Sequence, residues 1–143
     1  MKKAFAIAIL FLLIVIGSMD RSEHTIYRDY DVSVAFNSLY VYRVPRRIDI
    51  ILTIVGYHDV GHVTVNEIYA RYGNGYKHKV NWKSLNIPYS KSLKIDNMWY
   101  PQEVRILLSG DSINWTRTSK LRIYLVIEHN NNKFIIVNLV EKW

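Results

Sequence analysis

The stretch His58-Asp59-Val60-Gly61-His62 is the densest cluster of residues able to do chemistry. Imidazole nitrogens bind transition metals, and a carboxylate beside them serves as a further ligand or orients a ligating ring. On an extended chain His58 and His62 project to the same side. In a turn they can still converge, with His78 and His129 available to complete a ligand set if the fold brings them near. The spacing matches no zinc-enzyme signature, and the glutamate of H-E-x-x-H is missing. Asp and Gly beside His are also ordinary turn residues. The expectation is therefore a turn, with no native metal and no cofactor. His58, Asp59 and His62 remain the candidate ligands of one alternative, a metal-dependent hydrolase.

No catalytic residue is nominated. The chain has no G-x-S-x-G, no Ser-x-x-Lys with its partner motifs and no glycine-rich phosphate loop. It has no cysteine, which excludes thiolate zinc sites, cysteine nucleophiles and disulfides. The carboxylates are scattered, and no pair suggests glycoside hydrolysis. A non-enzymatic role is expected.

Aromatic residues offer a different chemistry. The chain holds 11 tyrosines and 4 tryptophans. Tyr40 with Tyr42, Tyr69 with Tyr72 and Tyr76, and Trp99 with Tyr100 could form flat platforms that stack on sugar rings or anchor a protein partner. Tyrosine also suits a pleated, half-buried surface, and strands collect it for that reason. Asn114-Trp115-Thr116 is an N-glycosylation sequon beside a turn, so Asn114 is a candidate attachment site in an exported chain.

Export is the reading of the first residues. Lys2 and Lys3 precede an unbroken apolar run from Ala4 to Ile16, followed by Gly17, Ser18 and Met19. A basic start, an apolar middle and small residues make a secretory signal. The alternative is an uncleaved anchor. The 16 residues from Ala4 to Met19 span only about 24 Å as a helix, short of the roughly 30 Å hydrocarbon core, but such mismatch is tolerated. In either case the lysines hold the N-terminus in the cytoplasm and send the rest outward. The organisation expected is a signal peptide or membrane anchor over 1–19, helical and hydrophobic, and one extracytoplasmic domain over 20–143.

The start "KKAF", with its long apolar run, resembles the processing site of archaeal type IV pilins. That resemblance implies a cut between Ala4 and Phe5, with Phe5 opening a filament-core helix. Ile9 stands where many bacterial pilins carry a glutamate. A filament subunit is thus a second alternative, and a carbohydrate-binding module a third.

Half the residues are hydrophobic, and the mature length suits one ordinary domain with a real core. Without Lys2 and Lys3, 17 basic side chains face 12 acidic ones. Outside a cell that balance fits anionic lipid headgroups or acidic glycans better than nucleic acid. The absence of cysteine, with abundant Ile, Tyr, Lys and Asn, resembles the composition of archaeal surface proteins from hot environments.

After Met19 the dominant period is two, the period of half-buried strands. Tyr30, Val32, Val34 and Phe36 share a face. A short strand Leu39 to Arg43 follows, then a nearly all-aliphatic central strand from Ile48 to Val55. Turns are expected at "GYHDVGH", at Gly73-Asn74-Gly75 and at "SGDS", and Trp82 to Pro101 is expected to be irregular. At the C-terminal hairpin a three-residue loop, Asn130 to Asn132, would pair Ile127 with Ile135, Leu125 with Val137 and Ile123 with Leu139. A two-residue loop would set Ile123 against Asn138 on the greasy face, and an unpaired buried amide costs about 1–3 kcal/mol. Seven to nine strands with turns between them suggest a mainly β fold, a single antiparallel β-sandwich of immunoglobulin-like or fibronectin-like type. The function expected is binding or structural, at the cell envelope. The chain would be extracellular or surface-held, with a protein or glycan partner, membrane contact through an uncleaved N-terminal segment, no nucleic acid, and homo-oligomers as an option.

Overall fold

Alternation of apolar and polar residues becomes strand almost throughout the computed structural model, which describes residues 24–115 and 120–140. The chain over 1–19, expected as a signal or anchoring helix, lies outside the described residues. Eleven strands form: β1 (Ile26–Arg28), β2 (Val32–Arg43), β3 (Arg46–Gly56), β4 (Gly61–Tyr72), β5 (Lys77–Lys79), β6 (Leu85–Tyr89), β7 (Leu93–Ile95), β8 (Met98–Tyr100), β9 (Gln102–Ser109), β10 (Leu121–His129) and β11 (Asn132–Val140). A short 3₁₀ turn, Gly110–Ser112, stands at "SGDS".

The protein is mainly β and built from antiparallel sheets. A four-stranded sheet runs β9-β3-β2-β1. A five-stranded sheet runs β11-β10-β4-β5, with β6 also paired to β4. A separate two-stranded hairpin is formed by β7 and β8. Ile48, Ile50, Leu52 and Ile54 of β3 meet Val63, Val65 and Ile68 of β4 and Leu121, Ile123, Leu125 and Ile127 of β10 in one buried cluster. Each such side chain stabilises the fold by roughly 1.5–3 kcal/mol through removal from water.

The expected central strand takes its place between β9 and β2, extended to Arg46–Gly56. The two segments expected at Tyr30–Phe36 and Leu39–Arg43 are one strand, β2, with a bulge between Phe36 and Ser38. The bulge explains the broken period: one extra residue, Asn37, switches the inward parity. Val34 and Phe36 pair with Ile54 and Leu52 before it, and Leu39 and Val41 with Ile50 and Ile48 after it. Tyr40 and Tyr42 are thereby turned outward, opposite Asp49 and Arg47. Tyr30 does not share the face of Val32 and Val34; it sits in the turn before β2 and is exposed. In the other sheet β4 carries the same device. Its register against β10 shifts at Val126/Ile127, so Val65 and Ile68 both point inward.

Two further expectations are corrected. The stretch from Trp82 to Pro101 is not irregular, since it holds β6, β7 and β8. Pro88 is accommodated because β6 lies at the margin of its sheet, paired only to β4. The last hairpin closes with two residues, not three. His129 pairs with Asn132, and Ile127, Leu125 and Ile123 face Phe134, Ile136 and Asn138. Asn130 and Asn131 take φ of 50° and 65°, the left-handed pair of a type I′ turn, whose twist matches the strands. The cost counted against this register does not arise, because Asn138 is only half-buried on the outermost strand. Ile135 and Leu139 are exposed as a consequence.

The first strand closes one seam between the sheets. Phe36 donates its amide to the Thr25 carbonyl at 2.8 Å, and Val137 donates to His24 at 2.9 Å. The Tyr27 ring stacks on Phe134.

Replacing Asn131 by Val should destabilise the protein by about 1–2 kcal/mol, the cost of a left-handed backbone for a branched residue. Asn131→Gly should be neutral or stabilising. Urea unfolding of the two variants checks the turn, since a loop centred on three residues would not rank them this way.

Candidate functional site at the loop-rich end

Four connections gather at one end of the two sheets: the β1–β2 turn, the β3–β4 loop, the β7–β8 hairpin and the β10–β11 turn. The centre of this end is polar and buried. Asp29 opens the β1–β2 turn and accepts from the backbone amides of Asp31 and Val32 through Oδ1, at 2.8 and 2.9 Å. Its other oxygen, Oδ2, faces His129 Nδ1 at 2.7 Å and accepts from the Tyr27 hydroxyl at 3.1 Å. Four donors thus fill the four acceptor positions of one carboxylate. His129 is 2% exposed, and its Nε2 lies 2.9 Å from the Tyr89 hydroxyl.

Proton positions follow from these partners. A carboxylate only accepts, so His129 Nδ1 carries a proton and donates to Asp29. In the neutral ring Nε2 is then an acceptor, and Tyr89 donates to it. Burial pushes the Asp29 carboxyl up, but the amides of Val32 and Asp31 and the imidazole outweigh it and hold the group below its ordinary range. Burial pushes the Tyr89 hydroxyl up, with the negative charges of Asp31 and Asp29 adding to it. Gly61 makes the arrangement possible: a Cβ there would fall 2.5 Å from the Tyr89 hydroxyl oxygen.

The Tyr89 hydroxyl, the His129 imidazole and the Asp29 carboxylate form one hydrogen-bonded chain, a relay of contacts across the fold. Tyr89 and His129 are both buried, so the relay ends inside the protein and joins three elements, β6, β10 and the β1–β2 turn. The sequence reading missed it. Asp29 and His129 stand 100 residues apart, and nothing in either local stretch announces the other.

The residues singled out for metal binding are placed differently. His58 lies exposed in the β3–β4 loop and stacks on Tyr30 at 4.1 Å. Asp59 beside it is exposed, and His62 is exposed in β4 opposite Pro88. His78 sits in β5 opposite Ala70, while His129 belongs to the buried relay. Among the described residues no group of three or more His, Cys, Asp or Glu side chains could hold a metal ion. Asn114 is exposed, and its amide donates to the Tyr72 hydroxyl at 2.7 Å. Thr116 of its sequon lies outside the described residues.

Of the aromatic groups, Tyr40 and Tyr42 are exposed side by side on the outer face of β2. The Arg47 guanidinium lies over the Tyr42 ring at 4.4 Å and reaches buried Asp49 at 3.2 Å. That close approach lacks hydrogen-bonding geometry: Arg47 Nε and Asp49 Oδ1 are both buried without a hydrogen bond. Tyr69, Tyr72 and Tyr76 are split, with Tyr72 buried and Tyr76 exposed. Trp99 and Tyr100 point to opposite faces of β8.

The β7–β8 hairpin is the most exposed apolar feature of this end. Leu93 pairs with Tyr100 and Ile95 with Met98, all on one face. These side chains are between 45% and 64% exposed. The other face pairs Lys94 with Trp99 and packs inward. Trp99 meets Tyr57 edge-on at 5.2 Å, with Lys94 over its ring at 5.0 Å and Arg28 over Tyr57 at 4.8 Å. Ser92 fastens the base, donating its amide to Gly56 and accepting the Gly56 amide on its hydroxyl. A tight turn at Asp96 and Asn97, with φ of 52° and 64°, fixes the register. The hairpin is thus fastened at its base and through Trp99, with its apolar face outward. Solvent-exposed apolar patches of this kind mark surfaces that bind.

The sequence matches no protein-family model, and no curated protein and no solved structure is similar to it.

Removing the Asp29 charge should cost about 1–3 kcal/mol, because Asn presents an amide to donors that need an acceptor. The Asp29 carboxyl titrates lower folded than unfolded. Its stabilisation is therefore full above about pH 4 and is lost as pH falls through the folded value. Urea midpoints measured across the acid range should show this loss in the parent protein and not in Asp29→Asn. A parent and variant that lose stability in parallel would remove Asp29 from the account.

Proposed function

We propose that the chain is an exported domain with a binding or structural role at the cell envelope, and that it performs no catalysis. The observation that carries this reading is the β7–β8 hairpin, whose outward face is apolar and whose inward face is locked by Trp99 and Tyr57. Four half-exposed apolar side chains on one face suit a protein or glycan partner, because covering them removes apolar surface from water. The segment 1–19 supplies export and either is removed or stays as an anchor. The domain itself is a β-sandwich of immunoglobulin-like or fibronectin-like type. Strand order supports this: β2-β3-β9 opposes β11-β10-β4 with β6 beside β4, and the chain crosses between sheets from β3 to β4 and from β9 to β10.

A second reading, glycan binding, is favoured by Tyr40 and Tyr42. Two exposed rings with the partly exposed Arg47 beside Tyr42 offer a stacking face next to a group able to bond sugar hydroxyls.

Cell fractionation tests the main reading. Mass spectrometry of the native protein should find either a chain beginning at Ser18 or Met19 in the medium or a longer one in membranes, open to protease added outside. An uncut, protease-protected chain in the cytosol would sink it. The double change Leu93→Ser with Met98→Ser should leave stability within about 0.5 kcal/mol, as both sites are exposed, while reducing envelope association.

A further inference from the structure

The opposite end of the protein has a different character. There the β2–β3 turn, the β4–β5 turn and the connection from β9 to β10 meet. Arg43 reaches the Trp115 carbonyl at 3.4 Å, Asn114 donates to Tyr72, and Gly73 donates to Lys120 at 2.7 Å, so the two sheets converge at this end too. Arg43, Arg46, Arg47, Arg71, Lys77 and Lys120 lie here. Among the described residues the acidic positions of this end are Asp49, buried 3.2 Å from Arg47, and Asp111. By contrast Asp29, Asp31, Asp59 and Asp96 all belong to the loop-rich end. Two apolar side chains project from the basic end at the turns: Val44, 92% exposed, and Tyr76, 88% exposed.

The path of the chain points the same way. β1 runs antiparallel to β2, with Ile26 opposite Ala35 and Arg28 opposite Ser33. The chain therefore comes into the fold from the side of the basic end. Only Asp20 to Glu23 separate the apolar run from His24. Fully extended, the steps from Met19 to His24 reach about 17 Å. Along β2 the distance from Asn37, beside His24, to Val44 is about 23 Å. A bilayer surface at Met19 thus lies no farther out than the tips at Val44 and Tyr76.

We propose that this basic end is a docking surface for anionic lipid headgroups, with Arg46, Arg71 and Lys77 meeting the phosphates and Val44 and Tyr76 dipping into the interface. The inference rests on the envelope reading above. Basic residues attract an anionic surface at close range, and aliphatic and tyrosine side chains settle at the headgroup boundary. On this account the protein stands on the membrane with its apolar hairpin held away from it, free for a partner.

The absence of cysteine makes a direct test simple. Single cysteines at Val44, Tyr76 and Asn97 carry an environment-sensitive dye in the full chain. The chain is reconstituted in vesicles of phosphatidylcholine, alone or mixed with phosphatidylglycerol. Dyes at 44 and 76 should shift to the blue in the mixed vesicles and be quenched from within the lipid, while the dye at 97 stays in water. Arg46→Glu or Lys77→Glu should each weaken the response about fivefold, and added salt should weaken it further. Flotation with vesicles while the dyes at 44 and 76 remain in water would overturn this inference alone. Loss of flotation would sink the tether along with it. A blue shift without vesicles, growing with protein concentration, would replace lipid by a second copy of the chain and overturn the proposal.

Discussion

The carboxylate of Asp29 is the point on which both sheets depend. It opens a turn of three residues, takes the imidazole of His129 from the far sheet, and through it engages Tyr89 on a third element. Asp29 is only partly buried, and each acceptor position of its carboxylate is filled. The consequence is positional. The turn before β2, the end of β10 and the end of β6 cannot move apart without leaving the buried His129 ring and Tyr89 hydroxyl short of partners. The loops that frame the exposed hairpin therefore rest on a fixed base, although none of them is long enough to pack a core of its own.

Two bulges do comparable work in the middle of the sheets. A strand that alternates strictly over 12 residues would bury or expose the wrong set somewhere along its length. Asn37 in β2 and the register shift opposite Val126 in β4 each reset the alternation once. The price of each is one unpaired residue. The gain on β2 is that Leu39 and Val41 stay inside while Tyr40 and Tyr42 face solvent.

Where sequence reading worked, the physics was local. The aliphatic run at Ile48–Val55 and the glycines after Tyr72 each carry their own signal, and each became the expected element. Where it failed, the deciding term was elsewhere in the chain. The register of β10 and β11 was argued from an amide presumed buried; its exposure on an outermost strand is a property of the assembled sheet. Tyr30 continued a pattern that the turn at Asp29 had already ended. The hairpin at 93–100 was obscured by the prolines around it, although Asp96-Asn97 between two short apolar pairs is a readable turn. Of the candidate site, the exposed positions of Tyr40 and Tyr42 were legible, but the Asp29–His129–Tyr89 relay was not. It joins residues whose local sequences are ordinary.

The seam sealed by β1 has a consequence for how the chain acquires its shape. A polypeptide is made from its N-terminus, so His24, Thr25 and Asp29 emerge first. Their partners Val137 and His129 emerge about 100 residues later. Until then the Asp29 carboxylate has no imidazole, and the edge of β1 has only β2 beside it. Contacts this distant in sequence form slowly and late. The opening strand thus waits for the closing hairpin before the seam between the sheets is sealed.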